Sequence, residues 1–398
     1  MYVHNAVGAS TPILGAVSSW SYWFAWTPGI AVNLILAATY LRATLWHGLG
    51  TLDCAIALGT LLYLLNALGL RLSMRMAGVA AVVAVVPLMA ILIGAMIQPA
   101  LLKVSRLQPI VVPNHPWWSS NAWLLIGKWL FVTVWSAYGA EIASTVVAEM
   151  READKRAARA LHTAGAVGLV GFGVIPFVML ALVGVQRLTA DPLVAFLPVA
   201  DAVFGHLGRT IVGVMLTAAL ILGAQVFVIG SSRTIYQMTC DGYLPRQFAR
   251  TNHRGVPVGS MLWDVAVIAA LLAIFGTDVV SVVAAANVGY LIVFILMPVA
   301  FILLERQRRT SEGRSVTPLI ALAAGLSVFN ALLLVVGGIE WGEGVLLTGV
   351  IVIALIVPIA VVRRIQDRRS GCTRLLPFPA GEPSEASEEL IAAAPVGS

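Results

Sequence analysis

Apolar residues run along this chain in long stretches divided by short polar ones. Ten stretches are long enough to cross a bilayer as helices, at about 13–41, 52–70, 78–102, 122–148, 162–186, 209–233, 257–275, 279–304, 317–338 and 344–363. A helix needs about 20 mostly apolar residues to span the hydrocarbon core. The runs are too long for buried strands and lack the alternation of an outer-membrane barrel. Helix breakers mark the boundaries: Gly48 and Gly50 divide the first pair, Pro109, Pro113 and Pro116 precede the fourth span, and Gly255 and Pro257 open the seventh. The expected fold class is an all-α polytopic membrane protein. Its membrane domain covers 1–369, and 370–398 is a tail of Pro, Ser, Glu and Ala expected to be disordered and cytoplasmic.

Composition narrows the class further. Hydrophobic residues make up 59% of the 398 and charged residues 11%, against about 25% charged in a soluble domain. So few charges cannot coat a water-facing surface of this size. A disordered chain, a collagen-like fibre and a disulfide scaffold are excluded by hydrophobicity, glycine pattern and cysteine number. The three cysteines, Cys54, Cys240 and Cys372, suggest no pairing and no zinc site. The first ten residues lack a basic n-region, so no cleavable signal peptide is expected.

Charge placement gives an orientation. If alternate connections lie on opposite sides, 19 of the 25 Lys and Arg fall on the side of the two termini. The positive-inside bias makes that side cytoplasmic, so both termini are expected inside the cell membrane.

Polar groups within apolar spans are costly and need an account. The fourth span carries Trp135-Ser136-Ala137-Tyr138-Gly139-Ala140-Glu141, then Ser144 and Thr145. Glycine and small residues weaken a helix, and a broken helix offers backbone groups to a ligand. Glu141 is either a proton- or cation-binding group or an acid satisfied by a neighbouring helix. The first span holds Trp20, Tyr22, Trp23, Phe24 and Trp26 before Pro28-Gly29. They read as a cavity lining, or as an interfacial aromatic belt, the latter favoured for Trp20 and Trp23. Ser231 and Ser232 read as packing residues, and Asp264 and Asn287 as inter-helix contacts. The six histidines lie in loops or at span ends without metal-ligand spacing. No Walker loop, dinucleotide fingerprint, nucleophile elbow or zinc-protease motif occurs. The expectation is a secondary transporter, not an enzyme, with no cofactor and no nucleic-acid partner.

Two stretches then resemble a known family. Residues 139–161, GAEIASTVVAEMREADKRAARAL, resemble the sixth-helix signature of the amino acid–polyamine–organocation permeases, G-F-E-S-A-x-x-x-x-E-E-x-x-N-P-K-R-x-I-P-R-A. Gly139, Glu141, Ala143, Glu149, Arg159 and Ala160 match in register. Residues 232–257, SRTIYQMTCDGYLPRQFARTNHRGVP, resemble the family's S-R-x-x-Y-x-M-A-R-D-G-x-L-P-x-x-F-A followed by T-P. The first span is similar to the family's third helix.

The resemblance implies a LeuT-type inverted-repeat fold in which the ten spans here are the third to twelfth helices. It implies a substrate site at the broken sixth helix: Trp135, Ser136, Ala137, Tyr138 and Gly139, with Phe227 as an aromatic lid and Glu141 as the gating, proton-sensitive acid. It implies transport of amino acids or related amines by alternating access, with H+ or Na+ as candidate coupling ions. Ala84 stands where many members carry a lysine at a cation site, which puts lysine-based coupling in doubt. Ala153 and Ala158 replace prolines. The family's first two helices have no counterpart, so Met1 is expected to be an internal methionine of a longer frame. The alternatives are a truncated or degenerate permease without transport and a polytopic membrane enzyme.

Overall fold

A computed structural model describes residues 12–46, 48–68, 74–107, 114–139, 153–312 and 317–369. Among them every regular element is helical. They are α1 (Pro12–Thr44), α2 (Thr51–Ala67), α3 (Met74–Ile97), α4 (Ser120–Ala137), α5 (Ala153–Gly173), α6 (Ile175–Val183) and α7 (Val185–Ala190). They continue with α8 (Phe196–Cys240), α9 (Val258–Phe275), α10 (Val279–Glu312), α11 (Thr317–Glu340), α12 (Glu343–Ala354) and α13 (Ile356–Arg369).

Seven stretches among the described residues are long and apolar enough to cross a membrane. The first, sixth, seventh, eighth and ninth expected spans are covered by α1, α8, α9, α10 and α11. The fifth is divided into α5 and α6 at Val174, and the tenth into α12 and α13 at Leu355. The second span forms a helix of 17 residues, and the described apolar part of the third is Val82–Ile97. In the fourth, α4 is 18 residues long and ends at Ala137; residues 140–148 of the expected 122–148 lie outside the described residues. At 45 residues α8 is too long for one crossing, and its helical backbone is interrupted at Gly205 (φ 70, ψ −172).

The order of burial follows from the sequence of α1. It is apolar on every face and has no charged residue before Arg42. A helix apolar all round belongs inside a bundle. Accordingly 78% of its crossing window is buried, against 17% for α11. It packs along α8 and α10, with α2 alongside. Trp20, Trp23, Phe24, Ile30 and Ile35 are completely buried there. The outer helices leave Leu169, Phe172, Leu262, Leu322, Leu332 and Ile339 exposed. Exposed apolar side chains in this density suit lipid, not water.

The expectation of an interfacial belt at Trp20 and Trp23 is corrected here. Both rings are fully buried. Trp20 Nε1 donates to the Val352 carbonyl at 2.7 Å and Trp23 Nε1 to Asp264 Oδ1 at 2.8 Å. The indole N–H groups find partners on other helices, so the rings have no need of the membrane surface.

Candidate functional site

The helix break lies where the small-residue run stands. The Tyr138 N–H still donates to the Val134 carbonyl at 3.2 Å. Tyr138 itself is extended (φ −78, ψ 161), and Gly139 turns to φ 124. That region is closed to most side chains, so glycine is needed for its backbone and not for space. A Cβ built on Gly139 has no neighbour within 4 Å. Ala140, Glu141, Ser144 and Thr145 lie outside the described residues.

Aromatic rings from four helices gather around the break. Trp135, near the end of α4, is anchored by its Nε1 on the Ala25 carbonyl of α1 at 3.1 Å. Its ring faces Phe227 of α8 almost in parallel, with centroids 6.4 Å apart and planes 9° off. Phe227 also meets Trp26 of α1 at 5.0 Å. Trp26 continues to Tyr290 of α10 at 6.2 Å and to Tyr22 at 5.8 Å. Tyr138 stacks on Phe294 at 4.0 Å and touches Tyr290 at 5.2 Å. Its hydroxyl donates to Asn330 Oδ1 on α11, which fixes the phenol where the chain leaves the helix.

Trp135, Tyr138 and Phe227 thus lie in one aromatic cluster, with Gly139 next to Tyr138 at the break. Ser136 and Ala137 are on the same last turn of α4. Trp26, one of the aromatics of the first span, and Tyr290, which no sequence signal singled out, belong to the same cluster. Each is nearly buried. The Trp26 Nε1 is buried without a hydrogen-bond partner among the described residues. Chemically the cluster offers ring faces, which attract cations and apolar groups alike, and one unused N–H donor.

A polar cluster adjoins it. Asp264 of α9 is fully buried. Its Oδ1 accepts from Trp23 Nε1 and, at 2.7 Å, from Ser231 Oγ of α8. Ser231 Oγ is 2.8 Å from Thr27 Oγ1, and Thr27 also reaches the Trp23 carbonyl at 3.0 Å. Asp264 Oδ2 has no partner among the described residues. Asn287 makes an inter-helix bond to the Phe131 carbonyl.

The second signature, 232–257, has a structural part to play. Arg363 of α13 donates to the carbonyls of Thr239 (2.9 Å) and Leu244 (2.7 Å) and pairs with Asp367 at 2.9 Å. Arg246 reaches the same Asp367 at 3.0 Å. Asn252 Nδ2 donates to the Ala67 carbonyl at 2.6 Å, and Arg254 to that of Leu68. The segment therefore joins the end of α2 to α13. Outside the spans, burial pushes the Tyr243 phenol up, and the charge of Asp241 adds to it.

Helices of this length and apolarity, closed around a broken helix, define a multi-pass membrane protein of the permease type. Residues 1–364 match the amino acid permease family model, and the chain belongs to that family. It is similar to the uncharacterized amino acid permease YvbW of Bacillus subtilis (strain 168), at 22% identity over 301 residues, covering 74% of this chain and 66% of that one. It is also similar to the D-serine/D-alanine/glycine transporter of Escherichia coli (strain K12), at 22% identity over 272 residues, covering 64% of this chain and 54% of that one. The chain thus spans between about half and two thirds of the curated relatives it matches.

Proposed function

We propose that this protein is a secondary transporter that moves amino acids or related amines across the cell membrane by alternating access. The observation that carries the reading is the end of α4 at Tyr138–Gly139 inside a ring of aromatic side chains. A broken helix can present backbone groups to polar parts of a substrate. Trp135 and Phe227 would frame the substrate, and the last residues of α4, Ser136 and Ala137, with Tyr138 and Gly139, would meet its polar end. The rings touch one another, which favours a small substrate. The D-serine/D-alanine/glycine transporter among the relatives supports the same class. Glu141, beside the break in sequence, is proposed as the protonatable gate, with H+ or Na+ as the coupling ion. Both termini are proposed to be cytoplasmic, on the charge asymmetry of the connections. Family membership supports transport over catalysis.

The test is counterflow uptake into proteoliposomes with glycine, D-alanine, D-serine, larger neutral amino acids and a cationic amine. Saturable uptake of one class, lost in a Trp135→Leu, Phe227→Leu double variant, is the expected result. Absence of uptake for every compound, with correctly inserted protein, would leave a permease-family chain without transport as the better reading.

A further inference from the structure

Asp264 is the one buried acid among the described residues, and the proposed site makes no use of it. Taking a charge out of water is costly unless the charge is paired and hydrogen-bonded. Here the pairing is half complete. Oδ1 is held by the indole N–H of Trp23 and the hydroxyl of Ser231. Oδ2 is equally buried and has no donor among the described residues. An ionised group would leave that oxygen bare, and a positive charge delivered to it would remove the mismatch.

The surroundings say which charge. From α1 come Trp23 and Thr27, and from α8 comes Ser231. The ionisable neighbour is Tyr63 of α2, whose buried hydroxyl also has no partner. No Lys, Arg, His or second acid among the described residues on α1, α8, α10 or the turn Arg246–Ala249 bears on it. A metal cation asks for several oxygen ligands. Ser231 Oγ and Thr27 Oγ1 already bond to each other, at 2.8 Å. A proton needs one oxygen, and one is open.

The position adds a link. Thr27 follows Trp26 directly in α1, and Trp26 packs on Phe227 at 5.0 Å. Movement of Trp26 when the aromatic cluster fills would shift Thr27, then Ser231, then the carboxyl. We propose that Asp264 is an internal proton-binding site, loaded and emptied at Oδ2 and coupled to the aromatic cluster through Ser231 and Thr27. The coupling rests on the reading of that cluster as the substrate site; the proton site itself does not. Loading forms one O–H bond as a hydronium ion becomes water, and release to water reverses it.

The experiment is infrared difference spectroscopy of the purified full-length chain between about pH 5 and pH 9, with and without amino acids. The expected result is a protonated-carboxyl band that is lost in Asp264→Asn and kept in Glu141→Gln. It should change when a binding amino acid is added. Ser231→Ala should keep the band and lose that response, and it carries the test if Asp264→Asn does not insert. The amino acid affinity of the parent should change by up to about tenfold per pH unit for one linked proton, and by less than about twofold in Asp264→Asn. Identical spectra for parent and Asp264→Asn would overturn the proton site. A band that changes only with added Na+ would overturn it in favour of a metal cation. A band indifferent to an amino acid that does bind would overturn the coupling. If no amino acid binds, the substrate reading fails, and the band alone still decides whether Asp264 carries a proton.

Discussion

A methyl group on Gly29 would lie 2.9 Å from the ring of Phe227. The α carbon of one helix thus forms the floor under the aromatic side chain of another. Gly29→Ala should push the ring out of its place against Trp26 and Trp135. Overpacking of this kind costs about 1–3 kcal/mol. The expected outcome is lower melting temperature and weaker substrate binding, read by scanning fluorimetry and binding titration. Phe227→Leu in the same chain, with a smaller side chain, should restore the stability and not the affinity.

Trp135 is the ring whose face matters most to an amine substrate. A cation over an aromatic face is worth about 0.5–2 kcal/mol, or roughly 2- to 30-fold in affinity. Trp135→Leu keeps apolar bulk and loses both the face and the bond to the Ala25 carbonyl. Binding should weaken by that factor while expression stays near the parent level. Equal affinity would remove Trp135 from the site.

Gly139→Ala tests the break without crowding it, since nothing stands within 4 Å of the new carbon. A backbone held at φ 124 is strained for alanine by about 1–3 kcal/mol. Insertion should survive and uptake should fall several-fold, because relieving the strain moves Tyr138 and its bond to Asn330. Wild-type uptake by the alanine variant would mean that the bend at this point is not needed.

Glu141→Gln should weaken the pH dependence of the transport rate, leaving that of substrate affinity to Asp264, with insertion unchanged. A glutamine keeps the size and hydrogen bonds of the acid and cannot titrate. An unchanged profile in an active variant would return Glu141 to a structural role.

Topology can be read from cysteine chemistry. Cys54 is buried and Cys240 exposed. In a Cys372→Ser background, an impermeant maleimide should reach Cys240 only after permeabilisation if the arginine-rich side is cytoplasmic. Labelling in intact cells would invert the orientation.

The helical class and the break were legible because each rests on local chemistry: apolar run length for the first, and Gly139 among small residues for the second. Trp135 and Phe227 were found through resemblance. The depth of a ring was not legible. Trp20 and Trp23 looked like belt residues because sequence gives the order of residues along a span and not which neighbour covers them. Trp23 meets Asp264 across 241 positions. The same limit hid Tyr290 and made Asp264 look like an ordinary contact. Its unequal oxygens are visible only when α1, α8 and α9 are together.

The segment that joins α2 to α13 decides where this molecule can bend. Parting those two helices at that end means breaking either the bonds of Asn252 and Arg254 to the end of α2 or those between Arg246 and Asp367 and from Arg363 to the Thr239 and Leu244 carbonyls. The four side chains act as rivets on a frame. A frame so fastened moves as one piece, and the flexure falls to backbone that is already out of helix. Tyr138 and Gly139 are such a point, set against the aromatic rings, so the bend and the proposed binding surface occupy the same few residues.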